Sequence, residues 1–196
     1  LVLLVLLLAR AGLSPVLAQD SLPLPVLPTD PLKASERQNA TRKTLAENRL
    51  AIEKLREEIV RLNIEQPARI QALSSETVTA TLVEQARLDS DALRLRQEEL
   101  QTSIEGATRQ IKTLQQAIPV LEAQEQLLKN PAKDSPEIGN RAEQLAQLRM
   151  ALEQSRTDLQ LEQENLKTLE EWLALVEQRQ TLAGQGRARL EEIHLQ

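Results

Sequence analysis

The chain has no cysteine, no phenylalanine and no tyrosine, one tryptophan and one histidine. Without cysteine there are no disulfides, no thiol chemistry and no cysteine-based zinc sites, while the compartment stays open. The shortage of aromatics argues against an ordinary globular core for 196 residues, because aromatic side chains bury the largest areas. His194 is the sole histidine, so the sequence holds no His-Glu-x-x-His helix and no Ser-His-Asp set; a P-loop and a full glycine fingerprint are also missing. Glycine is scarce, with five residues. "GQGRAR" supplies only the first two glycines of a dinucleotide motif and follows no strand. The net charge is −5 with both signs interspersed. No basic stripe stands beside aromatics, which argues against a nucleic-acid partner.

What remains is rich in Leu, Glu, Gln, Ala and Arg. These are strong helix formers, and the composition reads as long helices or coiled coil. The fold class expected is all-α: a long antiparallel helical hairpin or coiled-coil bundle that follows a signal peptide and a proline-rich linker.

The leader is residues 1–18. "LVLLVLLLA" ends at Arg10, and Val16-Leu17-Ala18 resembles the small-residue pattern before a signal-peptidase cut between Ala18 and Gln19. A basic start is missing, as in a chain that lacks its true beginning. The competing reading is a membrane anchor. Arg10 would cost about 2.5–3.5 kcal/mol at the centre of a span, and Pro15 weakens the helix. Residues 19–33 form the linker, where Pro23, Pro25, Pro28 and Pro31 favour an extended, semi-rigid conformation.

Residues 34–196 carry heptad spacing in three stretches. In the first, about 34–65, the seam is Leu45, Ile52, Leu55, Ile59 and Leu62, and Pro67 ends or kinks it. In the second, about 75–118, the seam runs through Val83, Ala86, Leu93, Leu100, Ile104, Ala107, Ile111, Leu114 and Ile118. Gly106 lies beside that seam as a place where a neighbour approaches closely, Pro119 breaks the hydrogen-bond ladder, and a helix resumes beyond a kink with Leu121 and Leu128. In the third, about 141–183, Leu145, Leu152, Leu159, Leu166 and Leu173 recur every seven residues, with Leu148, Leu169 and Val176 between them. "GQG" at 184–186 ends that arm or acts as a hinge, and "RARLEEIHLQ" reads as helical again.

The third stretch has a second feature. Ser155 and Glu162 interrupt its seam, and Leu161, Trp172, Leu175 and Leu182 widen its apolar face beyond about residue 158. A broad face needs more than one partner helix. Trp172 therefore reads as a packing anchor. The second and third stretches are similar in length, each about 60–65 Å at 1.5 Å per residue, and a short connector favours an antiparallel pair.

That connector is "NPAKDSPEIGN", residues 130–140. Asp134 and Glu137 do not have the spacing of a calcium loop. Asn140 reads as a helix N-cap with Glu143 completing a capping box. No catalytic, cofactor-binding or metal-ligating residue is assigned, no cofactor is implied, and the chain reads as a non-enzyme. "NAT" at 39–41 matches a glycosylation sequon in form only.

Several phrases carry a family likeness: "TLVEQARLDSDALRLRQEELQ", "VLEAQEQLLKNPAK", "NRAEQLAQLRMALEQSR" and "LEEWLALVEQR". They resemble the N-terminal periplasmic region, often called the MscS porin domain, of large MscK-like mechanosensitive ion channels of the MscS superfamily. The likeness spans roughly residues 40–196. It implies an all-α region behind a signal sequence, on the periplasmic side of a bacterial inner membrane. The membrane section and pore would lie elsewhere in a longer, integral membrane protein, so no pore residue is carried over. The expected role is a scaffold or modulator of gating. Expected partners are the remainder of the channel, other copies through helix seams, and the cell envelope. The rival expectation is a stand-alone periplasmic coiled-coil adaptor or an envelope or division regulator.

Overall fold

The computed structural model describes residues 31–73, 78–130 and 140–195. The leader, most of the proline-rich linker and residues 131–139 of the connector, with Asp134 and Glu137, lie outside the described residues. Three long helices make up the rest: α1, Pro31–Gln71; α2, Ala80–Lys129; α3, Arg141–His194.

The helices are longer than their seams. α1 begins at Pro31, inside the stretch read as linker. Proline suits a first helical position, because its φ is already set and its missing N–H has no intrahelical acceptor there. α1 also runs through Pro67 to Gln71, and α2 runs through Pro119 to Lys129. An interior proline costs about 3 kcal/mol or more in a helix. Packing offsets it in α2: Leu121, two residues past Pro119, is 2% exposed and packs with Leu148 and Leu152. The ladder break expected at Pro119 therefore does not divide the helix, and Pro67 does not end α1.

α3 likewise continues through Gly184-Gln185-Gly186 to His194. No glycine among the described residues has a positive φ, so these two neither end the arm nor form a turn. Outside its own helix backbone and chain neighbours, nothing lies within 4 Å of where a Cβ of Gly106 would stand, which removes the close approach expected there. Gly186 does meet a neighbour: a Cβ would lie 2.5 Å from Nε2 of Gln66.

Capping at the start of α3 differs from expectation. The side chain of Asn140 makes no cap hydrogen bond. Its φ of −106° and ψ of 3° are not the extended conformation that aims a cap side chain over the first turn. Its carbonyl accepts from Gln144 N–H at 3.0 Å instead, and Glu143 still places a negative charge at the positive helix end. α2 is capped by Thr79, extended at φ −97° and ψ 155°, whose hydroxyl accepts from Leu82 N–H at 3.4 Å.

Contact pairs fix the helix directions. Between α2 and α3, Glu125 meets Arg149, Glu122 meets Arg156 and Gln97 meets Glu177. One number falls as the other rises, so these helices are antiparallel. Between α1 and α3, Gln38 meets Asp158, Arg56 meets Glu171, Arg179 meets Glu58 and Gln66 meets Leu182, with sequence separations of 120, 115, 121 and 116. A near-constant separation means that α1 and α3 run parallel. The bundle is up-down-up, and α3 packs against both others. Among the described residues no Cα of α1 comes within 8 Å of one in α2.

The heptad seams are where the burial is. Leu45, Ile52 and Ile59 of α1, Leu100 and Ala107 of α2, and Leu148, Leu152, Leu169 and Val176 of α3 are all buried. One cluster joins Leu100, Ala107, Leu169 and Val176, with Trp172 and Leu55 packed against it. A second joins Leu121, Leu148 and Leu152 nearer the connector. Each fully buried Leu or Val stabilises the fold by about 1.5–3 kcal/mol relative to exposure. The widened face of α3 is occupied by α1: the carbonyl of Leu182 accepts from Gln66 at 2.9 Å, and Trp172 lines a hollow with Thr44 and Asn48 of α1.

Gly106→Ala and Gly184→Ala have open space at the Cβ, so each is expected to raise unfolding stability by about 0.5–1 kcal/mol. Gly186→Ala should gain less than either, because the Gln66 amide must leave the Leu182 carbonyl. Urea unfolding of the three variants checks this ranking, and an equal gain at Gly186 contradicts the contact.

Candidate functional site

The described residues offer long faces and shallow troughs rather than an enclosed cleft. One trough, of about 700 Å³, lies where the C-terminal part of α1 meets the end of α3 and is lined by Leu62, Gln66, Pro67, Ile70, Leu182 and Ile193 among others. Another, of about 580 Å³, lies where the N-terminal part of α1 and the middle of α2 flank α3; its charged lining is Arg37, Arg109, Asp158 and Glu162. Both are open to solvent. Acid–base catalysis needs carboxylates held apart from water and aimed at a reacting atom. Here the carboxylates hold helices together: Asp158 accepts from Gln38 Nε2 at 2.9 Å, and Glu162 faces Gln110.

The Gln110–Glu162 pair explains how a charged residue sits in a helix seam. A carboxylate can only accept, so the amide of Gln110 must present its nitrogen; in that orientation it donates to Oε1 of Glu162 at 2.9 Å. Asn165 Nδ2 adds a contact at 3.4 Å. Glu162 is half-buried, not sealed, so its charge keeps partial solvation and the burial penalty stays limited. Ser155, the other polar interruption, is buried; no buried side-chain nitrogen or oxygen among the described residues lacks a hydrogen-bond partner.

Charge pairs run along both flanks of α3. On the α2 side, Arg149 Nε lies 2.9 Å from Glu125 and Arg156 Nη2 lies 2.7 Å from Glu122. On the α1 side, Glu164 pairs with Arg49 at 3.6 Å, Glu171 pairs with Arg56, and Arg179 lies 2.9 Å from Glu58. Exposed pairs contribute only about 0–1 kcal/mol each. Their larger effect is on alignment, since each links one residue to one level of the neighbouring helix.

Glu125 is the most shielded carboxylate in these pairs, with its side chain 15% exposed. The hydrogen bond from Lys129, then that from Arg149, holds its pKa below the ordinary carboxylate range; the Coulomb attraction of both cations adds to this, and partial desolvation opposes it. At the far end of α3, the hydrogen bond and charge of Glu191 raise the pKa of Arg187 above its ordinary value.

Trp172 is a packing residue: it lies against the buried cluster, and the Arg96 guanidinium stands 4.2 Å from its ring centroid. Cation and ring attract through the ring quadrupole, which ties α2 to α3 beside α1. His194 closes the end of the bundle, its Nδ1 donating to the Val78 carbonyl at 3.4 Å. Among the described residues no group of three or more His, Cys, Asp or Glu is placed to hold a metal ion. No described helix is long and apolar enough to cross a membrane.

Compared with known proteins, the chain matches no family model, no curated protein and no solved structure.

Because the folded pKa of Glu125 is depressed, its stabilising contribution is complete above the unfolded pKa. It is lost as pH falls through the folded pKa, below the ordinary carboxylate range. Side-chain NMR titration is expected to give Glu125 a lower midpoint in the folded chain than in urea-unfolded chain. Lys129→Ala and Arg149→Ala should each raise that midpoint. An identical midpoint in folded and unfolded chains contradicts the bridge.

Proposed function

We propose that this chain is a mechanical helical region of the bacterial envelope: the extramembrane periplasmic part of an MscK-like mechanosensitive channel, acting as a scaffold or modulator of gating. The observation that carries the reading is the construction of α3. It is one 54-residue helix, about 80 Å long at 1.5 Å per residue, supported on two sides by other long helices and tied to them at successive levels by side-chain pairs. A continuous hydrogen-bonded helix resists axial change, and lateral packing resists buckling. Such a bundle passes a displacement from one end to the other. Open troughs, and carboxylates engaged in helix pairing, fit that role better than turnover of a small substrate. The resemblance of its sequence phrases to the channel family supports the periplasmic location in this reading.

In this reading the pore and membrane section belong to a longer protein, and the bundle stands on the periplasmic side. Several downstream spans of about 20 apolar residues support the channel; a downstream peptidase-like or barrel-sandwich domain supports the adaptor instead. The functional test is deletion of residues 34–196 from the full-length protein, followed by patch recording. The expected result is a shifted tension threshold or altered subunit assembly. Unchanged threshold, unchanged ion dependence and unchanged assembly together would sink the modulator role.

A further inference from the structure

One level of the bundle is built differently from the rest. The seam of α1, Leu45, Ile52 and Ile59, reaches Gln66 seven residues further on. The seam of α3 steps by sevens from Leu173 to Gln180 and Arg187, and the seam of α2 has Ser90 between Ala86 and Leu93. Packing brings these polar positions together. Gln66 Nε2 donates to the Leu182 carbonyl at 2.9 Å. Continuing the antiparallel contact of Gln97 with Glu177 by one heptad sets Ser90 level with Gly184. The result is a gap in the core. Among the described residues none is buried between Ile59 and Val78, between Val78 and Leu100, or between Val176 and Ile193. Two backbones are also weakest here. Pro67 cannot donate to the Asn63 carbonyl, and Gly184 and Gly186 have no Cβ to favour one conformation. Sharp bends in long helices fall at prolines and at glycines. Open volume adjoins the same level, in troughs of about 700 and 390 Å³, and Leu62, Gln66, Ile70 and Leu73 border both. Past it the end is tied together again: Val78 and Ile193 are buried, and His194 Nδ1 meets the Val78 carbonyl at 3.4 Å.

We infer that the bundle bends at this level, and that the end beyond it, residues 68–73, 78–89 and 187–194, swings as one unit against the body. The Gln66 amide is the latch of the straight form. It reaches the Leu182 carbonyl only because Gly186 has no side chain, since a Cβ there would lie 2.5 Å from its nitrogen. Elsewhere in the bundle buried leucines, isoleucines and valines hold the helices side by side. Here a single hydrogen bond between side chain and backbone stands in their place, and few buried apolar contacts mark the low-stability parts of a fold. The tail of α1 has open volume on two sides, so a swing fills one trough as it widens the other. Lateral packing, which keeps the body straight, is thinnest at this point. The bend does not depend on the channel reading: a force carried along the body by any partner emerges as a sideways movement of the end.

The test is pulsed electron paramagnetic resonance on the purified full chain with three nitroxide pairs. Lys167→Cys/Glu192→Cys spans the level. Glu153→Cys/Gln178→Cys has the same spacing inside the body, and Thr81→Cys/Glu192→Cys lies wholly in the end. A bend of about 20° changes the distance between labels about 6 Å from the helix axis by about 2 Å. The spanning pair should give a distance distribution broader than the other two by about that amount. Ser90→Leu/Gln180→Leu/Arg187→Leu, which restores the seams and keeps Gln66, should narrow it to the width of the body pair. Gly184→Ala, whose Cβ meets open space, should narrow it without touching the seams. Gln66→Ala should broaden it further. Equal widths for the spanning and body pairs overturn the inference. An end pair as broad as the spanning pair overturns it in favour of fraying at the helix ends. A spanning width that neither the restored seams nor Gly184→Ala narrows places the bend elsewhere, and one that ignores Gln66→Ala removes the latch.

Discussion

The structure depends on α3 having two usable sides. Its seam, Leu148, Leu152, Leu169 and Val176, packs against α2 and buries most of the apolar clusters. The adjoining side, with Trp172 and Leu182, receives α1. Remove the second side and α1 has no partner, because its backbone stays beyond 8 Å of α2 among the described residues. The hydrophobic effect drives both contacts without choosing a register. The polar side chains on the flanks, each able to reach only one level of a neighbouring helix, make that choice.

That division of labour suits a protein with almost no aromatic residues. Leucines repeating every seven residues on two helices would fit one another nearly as well after a slip of one heptad. Gln110 facing Glu162, Arg149 facing Glu125 and Arg156 facing Glu122 each lose their partner in such a slip. Exposed ion pairs contribute little to stability one at a time, and a polar residue in a seam costs some; both are well attested as devices for register. The polar interruptions of the third seam therefore belong to the same design as its leucines.

Much of this was legible in the sequence. The seam positions follow from period 3.5 alone, because burial on a helix face is a local, repeating condition. The width of α3's apolar face beyond residue 158 also announced a second neighbour. What was not legible depends on competition between local and tertiary energies. Pro67 and Pro119 signal helix ends locally, yet packing of residues beyond them, Leu121 above all, carries the helices through. Gly184 and Gly186 permit a turn without requiring one. Asn140 has the right side chain for a cap, but a backbone at φ −106° and ψ 3° aims it elsewhere. The parallel course of α1 beside α3 cannot be read from composition, since heptads serve either direction; it accompanies the order of three long helices joined by short connectors. The troughs were likewise invisible, being lined by residues of different helices that only the packed bundle brings together.

The central claim is that α3 is shared, with α2 antiparallel and α1 parallel to it. The absence of native cysteine makes site-specific spin labelling direct. Pulsed electron paramagnetic resonance on the pairs Arg42→Cys/Gln160→Cys and Asn63→Cys/Thr181→Cys should give short distances at both ends of the bundle. The crossed pair Arg42→Cys/Thr181→Cys should be longer by roughly 30 Å, the rise of about twenty helical residues. Short distances for the crossed pairs 42/181 and 63/160, with long ones for 42/160 and 63/181, would reverse α1 and contradict the account.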